Sequence, residues 1–510
     1  MIVRLDNIKL TPGEGEDELR RIAERRLGAR PAYFRILKMS LDARKKHDIH
    51  YVCSVEFSTD EAPRPAPLGR YRGEAKKIMI VGSGPAGLFC ALRLADRGFA
   101  PVVIDRGTDV DTRSAAVARF FSGGRLDPDN NVQFGEGGAG TFSDGKLNTQ
   151  THSGYNADVL ATFARFGAPE EVTYLGKPHI GSDRLKGVVR SMRAYILSCG
   201  GEVRFSTRLE SLACSGGRVT ATLYDINKNE TYEEYADALV IAPGHSARDT
   251  FAALRRCGMA MEAREFAVGV RIEHRQGAID MAQYGRARGL LPPADYKLVS
   301  HAGARTAFTF CMCPGGVVVP AASEEGGVVT NGMSDYARAG ENADSALLVQ
   351  MRLSDFGSDD MFAGMEFQRR LERAAFAAAG GDYRAPAQRW EDFARGRAGS
   401  GFGSVTPSYA RGVVPINLAD ILPAVAAETL KVAVPDMARR LRGFDDPDAV
   451  MTGPETRFSS PVRLLRSESG ESVTHPGVYP CGEGSGYSGG ITSSAADGLR
   501  TADRIYAKFS

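Results

Sequence analysis

An α/β fold is predicted: a domain built on a parallel sheet, a mostly antiparallel α+β domain inserted into it, and a small α+β unit in front. Three observations carry the prediction. Residues 76–107 read KKIMIVGSGPAGLFCALRLADRGFAPVVIDRG, residues 477–505 form a second glycine-rich strand–helix unit, and the texture between them changes to long alternating segments.

Residues 1–58 alternate as a small α+β unit. The strand MIVRLDNIKL is followed by the acid-rich helix start GEGEDELRRIAERRLG, and FRILKMSLDAR and HYVCSVEF read as strands. The segment TDEAPRPAPLGRYRGEA, 59–75, is rich in proline and charge and reads as a linker.

The first cofactor-type segment spans 76–264. Ile78, Met79, Ile80 and Val81 are an apolar run that reads as a buried strand. Gly82 permits the tight turn that follows, Gly84 lets backbone approach a pyrophosphate, and Gly87 lets the next helix pack close to the strand. That helix offers free N–H groups and a partial positive charge to phosphates. A second strand ends in Asp105, about 20 residues past the glycines, where a carboxylate can accept from a ribose hydroxyl. Farther on, GGEVRFSTRLESLACSGGRVTATLYD reads as strands joined at Ser215-Gly216-Gly217, and ADALVIAPGHSARDT (236–250) as another buried parallel strand.

From FAVGVRIEHR onward, 265–450 reads as the inserted domain, including the amphipathic stretch SALLVQMRLSDF and the helix-like MEFQRRLERAAFAAAG. Residues 451–510 return to the cofactor-type domain. In GVYPCGEGSGYSGGITSSAADGLRTADRI a short strand runs into Gly482-Glu483, then a glycine-rich turn, then a helix of small residues. A carboxylate at such a strand end suits the ribityl hydroxyls of a flavin. A helix starting near Gly490-Ile491 aims its positive end at the N1–C2=O edge, where reduced flavin collects charge.

Composition sets outer limits. At 510 residues the chain predicts roughly two to four domains. Its 64 basic and 62 acidic residues nearly cancel, so nothing draws the whole molecule to nucleic acid or an anionic membrane. The start carries Arg4 and Asp6 inside its apolar stretch and lacks a secretory h-region. No apolar run nears the length that spans a bilayer. Eight scattered cysteines suit a reduced, cytoplasmic setting. A small-molecule substrate is the expected partner, and no feature specifies an oligomeric state.

The opening fingerprint, the strand ending in Ala242-Pro243-Gly244 and the terminal GEGSGYSGGI together resemble the glutathione-reductase-type FAD superfamily. More narrowly, the chain resembles the bacterial FAD-dependent dehydrogenases, or NAD(P)/FAD-dependent oxidoreductases. Its marks here are VQFGEGGAGTFSDGKLNT (132–149), KPHIGSD (177–183), FAVGVRIEH (266–274), FTFCMCPGG (308–316), NGMSDYAR (331–338) and TRFSSPVR (456–463). The resemblance implies a Rossmann-like FAD-binding domain and FAD held by Gly82, Gly84, Pro85, Ala86, Gly87, Asp105, Gly244, Gly482, Glu483, Gly490 and Ile491. Arg106, Gly138, Thr141 and Leu209 complete the expected cofactor set. Two positions depart from the superfamily's usual form: Asp105 stands where Glu is commoner, and Ala-Pro-Gly where Ala-Thr-Gly is usual.

FGEGGAGTFSDGKLN lies where such folds wrap backbone against the flavin. Gly137, Gly138 and Gly140 remove side chains there, Thr141 and Ser143 are placed to donate to N5 or O4, and Lys146 to stabilise anionic reduced flavin or an acid substrate. Cys311 and Cys313 fall on one face of a strand because strand side chains alternate. Two thiols so placed make either a redox-active pair or half of a soft metal site. CxC is not the CxxC of a redox helix start, and no second pair or histidine cluster completes a zinc site. The expectation is therefore no metal and small thiols facing the substrate. His179 with Asp183, and Glu273 with His274, are the acid–base candidates. With Lys146 and Cys313 they form the catalytic set. Arg338 and Arg457 to Arg463 are candidates for an anionic substrate group.

The function expected is hydride transfer between flavin N5 and a small organic substrate or NAD(P)H. One complete fingerprint leaves NAD(P)H as at most a transient co-substrate. The rival readings are an FAD-dependent monooxygenase and a flavin-binding scaffold or RNA-modification protein that engages partners through residues 1–58.

Overall fold

The runs IMIV and ALVI become the strands Ile78–Val81 and Ala238–Ile241, every residue of them buried, as a strand covered on both faces requires. The computed structural model describes residues 2–62 and 68–510. Of the linker expected at 59–75, residues 63–67 lie outside the described residues. The two strands are neighbours in a five-stranded parallel sheet in the order Val478–Pro480, Ala238–Ile241, Ile78–Val81, Val102–Ile104, Glu202–Arg204. Its outermost strand on one side thus comes from the last segment of the chain.

Alternation decides what covers each face. Ile78, Ile80, Val103 and Val240 pack beneath the helices Pro85–Asp96, Ser182–Ser198 and Ile491–Phe509. Met79, Val81, Ile104 and Leu239 meet a three-stranded antiparallel sheet, Thr207–Ser215, Arg218–Asp225 and Glu230–Ala236. Its first hairpin turns at Gly216 and Gly217, φ 57° and 77°, the left-handed pair that a tight two-residue turn needs.

The inserted domain is an eight-stranded, mostly antiparallel sheet. Its centre is Ala307–Pro320, Asn342–Met351, Phe266–Arg275 and Val450–Glu455. SALLVQMRLSDF is not amphipathic in the fold. Asn342–Met351 is buried at every position except Gln350, because Leu347 and Val349 meet the helix Ala424–Ala438 while Ala346 and Leu348 meet Phe308 and Phe458. Val450–Glu455 pairs within this sheet, so the return to the parallel sheet comes after it rather than at 451.

The N-terminal unit is an antiparallel sheet with His50–Ser58 between Val3–Leu10 and Tyr33–Asp42. The helix Glu16–Leu27 closes it through Leu19 and Ala23. It docks by backbone, with Met39 N–H donating to Tyr174 O and Gly176 N–H to Met39 O, both at 2.8 Å. Among the described residues no helix is long and apolar enough to cross a membrane.

Candidate active site

A cavity of about 820 Å³ runs from the fingerprint turn to the inserted sheet. That is within the size range of small-molecule and cofactor sites. Two helices begin at its wall. Pro85–Asp96 starts after Gly84 and Ile491–Phe509 after Gly490, neither with a side-chain cap nor an acidic residue in its first turn. Two uncompensated positive ends at one cavity favour an anionic ligand.

Glycines set the shape. A Cβ on Gly82, whose φ is +100°, would stand 2.2 Å from Ala242 O, and one on Gly87 would stand 1.9 Å from Gly82 O. These two close the turn and seat the helix. Gly84 differs: its Cβ would meet only Gly138 Cα, at 3.7 Å. Gly84 and Gly138 are thus facing backbones with bare surface left for a ligand. Gly482 is a packing position, since its Cβ would lie 2.6 Å from Ala86 Cβ.

Of the residues expected to hold the cofactor, Gly82, Gly84, Pro85, Ala86, Asp105, Arg106, Gly138, Leu209, Gly244, Glu483, Gly490 and Ile491 line the cavity. Asp105 also braces the turn: Oδ2 accepts from Ser83 N at 2.8 Å and Ser83 Oγ at 2.7 Å, and Oδ1 from Gly107 N at 2.9 Å. Oδ1 keeps a free lone pair for a ribose hydroxyl. Arg106 lies over the Phe134 ring and pairs with Asp249 at 2.7 Å. Thr141 is elsewhere. It is fully buried with Oγ1 3.3 Å from Glu136 O, packed under Gly137, and is not a donor into the cavity.

The catalytic candidates separate. Lys146 lines the cavity; His179, Glu273, His274 and Cys313 do not. His179 bonds Tyr336 O at 3.0 Å and stacks on that ring. Asp183 accepts from Tyr336 N. Glu273 is buried and accepts from Asn342 Nδ2 at 2.9 Å and Ser408 Oγ at 2.5 Å. His274 bonds Phe444 O at 2.8 Å and stacks on that ring. Burial lowers both imidazoles, so they stay neutral. His179, Glu273 and His274 are corrected from acid–base candidates to structural groups held by distant partners, and Cys313 lies buried in the sheet rather than in the cavity wall. The anion-binding candidate Arg338 is committed to Asp144, and Arg457, although in the wall, to Glu372 and Ser323.

The cavity instead gathers Lys146, Cys311 and Glu455 beside Phe308, Phe310, Met312 and Phe458. Asp144 is saturated by Arg338 and by Ser334, and Lys146 Nζ stands 3.3 Å from it. Among the described residues that ammonium is buried with no hydrogen-bond partner. Burial pulls it down, but Asp144 and the nearby thiols outweigh this, so it stays charged. Glu455 rests on Arg271, Nη1 to Oε2 at 3.3 Å, yet burial pushes its carboxyl up to about 8. Arg271 has no exposed surface and also pairs with Asp344. Among the described residues no group of three or more His, Cys, Asp or Glu is placed to hold a metal.

Residues 265–458 match the family described as FAD-dependent protein, C-terminal domain-like. Residues 80–132 match an NAD(P)-binding Rossmann-like domain, and 1–58 a domain of unknown function. A Clostridium beijerinckii protein titled "Uncharacterized protein" is 42% identical over 534 residues, covering 100% of this chain and 99% of that one. The chain belongs to the FAD-dependent protein family. It is an FAD-dependent oxidoreductase. Among solved structures, this flavoprotein is similar to the glycerol-3-phosphate dehydrogenase of Bacillus halodurans complexed with FAD, at 12% identity and TM-score 0.37, covering 85% of this chain and 65% of that one. It is also similar to a geranylgeranyl bacteriochlorophyll reductase-like protein of Thermoplasma acidophilum, at 12% identity and TM-score 0.37, covering 86% and 80%. FAD fits the residues present, with bare facing backbone at Gly84 and Gly138, two open helix starts for its anionic parts, and carboxylates at Asp105 and Glu483 for its hydroxyls.

Proposed function

We propose that the enzyme is a dehydrogenase or reductase moving hydride between flavin N5 and a small, largely apolar organic molecule that carries one anionic group. The observation that carries this reading is Lys146, a buried ammonium in the cavity wall that shares its one carboxylate, Asp144, with Arg338 and has no hydrogen-bond partner among the described residues. Two cations on one carboxylate leave a positive charge that favours an anion beside it. Phe308, Phe310 and Phe458 give the chamber its apolar body, with Phe310 edge-on to Phe458 at 4.6 Å.

Bound FAD supplies reversible two-electron chemistry. The start of Pro85–Asp96 would hold its phosphates, Asp105 its ribose and Glu483 its ribityl chain. The start of Ile491–Phe509 would oppose negative charge on the ring. Lys146 binds and orients the substrate anion, and the three phenylalanines keep water from the reacting carbon. Glu455 holds a proton on its carboxyl group at neutral pH and is placed to exchange it with a substrate oxygen or nitrogen. NAD(P)H enters this scheme only as a transient donor.

The visible spectrum of the purified protein, followed by anaerobic reduction with NADH, NADPH and panels of small organic acids, tests the proposal. A yellow protein reduced by one of the acids, or reoxidised by an unsaturated acid, supports it. A colourless protein that FAD does not reconstitute overturns the placement of the flavin.

A further inference from the structure

Cys311 and Cys313 remain outside the hydride scheme, and their geometry is not that of packing residues. The strand Ala307–Pro320 slips register between Phe310 and Cys313, and Cys311 has φ +41°, a backbone conformation that a residue with a side chain adopts at a cost. Bulges re-aim side chains beside active sites. Here the bulge sets Cys311 in the cavity wall, while Cys313 is fully buried behind it. The two residues nevertheless stay joined, with Cys313 Sγ donating to Cys311 O at 3.3 Å and each thiol the leading influence on the other's proton. Arg271 fixes the pair from beneath, donating to Cys311 O at 3.0 Å with Nη2 3.8 Å from Cys313 Sγ. Besides holding their carboxylate partners, the Arg271 guanidinium and the Lys146 ammonium thus also bear on the pair.

We propose that Cys311 and Cys313 form a dithiol–disulfide centre that exchanges two electrons with the bound flavin. The inference rests on reading the cavity as the flavin site. Cys313, Lys146 and Arg271 favour the thiolate at Cys311, whereas Cys313 is held protonated. One sulfur is poised to attack and the other to donate its proton, the asymmetry that thiol–disulfide chemistry uses. In the oxidising direction the S–S bond forms, the Cys313 S–H bond breaks, and the two sulfurs give up two electrons and one proton. Oxidised flavin takes both electrons and that proton. In reverse, reduced flavin opens the disulfide, and the Cys311 thiolate, half-buried in the cavity wall, is the group able to pass the electrons to a disulfide substrate.

The test is an electron count on the FAD-loaded enzyme. The protein is oxidised with diamide, desalted and titrated anaerobically with dithionite against flavin absorbance. A tryptic digest of the same sample is weighed for the loss of two hydrogens in the peptide holding both cysteines. Four electrons per bound FAD in the wild type, falling to two in Cys311→Ser and Cys313→Ser at equal flavin content, is the expected result. Two electrons in a wild type with full flavin content overturns the dithiol centre and leaves the flavin site standing. Four electrons in either serine variant also overturns it, because the extra pair then resides elsewhere. Failure to bind FAD at all overturns the flavin placement and the centre together.

Discussion

Arg113 donates from Nη1 to the carbonyl of Gly138 at 2.9 Å, and the same guanidinium reaches Asn131, Val132, Gly135 and Glu136 through their carbonyls. A side chain with no exposed surface thereby fixes the glycine-rich loop from beneath, on the side away from the cavity. Burial pulls its pKa down to about 10, opposed by Asp105 and Glu136, so it stays charged at neutral pH. Replacing it leaves buried carbonyls without donors. Arg113→Ala is expected to destabilise the protein by about 3–5 kcal/mol and to release flavin at lower temperature. Thermal melting followed by flavin fluorescence measures both. Unchanged melting would remove the loop-fixing role.

Two glycines of one turn separate folding from binding. Gly82→Ala forces a Cβ to 2.2 Å from backbone at a left-handed φ, so the turn itself is expected to fail. Gly84→Ala, with φ −73° and its nearest neighbour at 3.7 Å, leaves the protein fold intact while occupying the face kept bare for the cofactor. Gly84→Ala should keep the apoprotein's melting temperature and weaken FAD by about tenfold, which is about 1.4 kcal/mol. Equal FAD affinity in Gly84→Ala and wild type, by flavin fluorescence titration, contradicts the proposed pyrophosphate position.

Lys146 is the test of substrate charge. Lys146→Met keeps the stem and deletes the ammonium, leaving Asp144 its partners Arg338 and Ser334. Benzoate, as a small apolar anion, should perturb the flavin spectrum of the wild type and bind about tenfold more weakly to Lys146→Met, again about 1.4 kcal/mol. A neutral analogue, benzamide, should bind both alike. If benzoate does not distinguish the two proteins, the anion seat is elsewhere.

The parallel sheet was legible because its information is local. Runs such as IMIV and ALVI have one reading as covered strands, and the glycine spacing marks the turn between strand and helix. The chemistry was less so. His179, Glu273 and His274 stand out by residue type, but their partners Tyr336, Ser408 and Phe444 are more than 130 residues away in sequence, and only the fold shows what holds them. Glu455 gives no local signal at the end of VMTGPE; its raised pKa comes from burial beside Arg271. Strict alternation put Cys311 and Cys313 on one face, and a bulge, which no periodicity announces, divided their surroundings.

That bulge gives the last prediction. Cys311 titrates at about 6, held down first by the hydrogen bond from Cys313 and then, against burial, by Lys146 and Arg271, with Asp144 opposing. Asp344 and Glu455, which face the same cluster from the neighbouring strands, are themselves pushed up to about 7 and about 8 by burial. They are therefore mostly uncharged where Cys311 loses its proton and do not hold it back. Because the thiolate is the reactive form, alkylation of Cys311 by iodoacetamide should rise through pH 6 and level off near neutrality, whereas an ordinary thiol keeps gaining rate past pH 8. Cys313→Ser removes the thiol partner and Lys146→Met removes a cation, so each should move the Cys311 midpoint upward. Peptide-resolved alkylation rates between pH 5 and 9 read this directly, and a wild-type midpoint above 8 would show that Cys311 is an ordinary buried thiol.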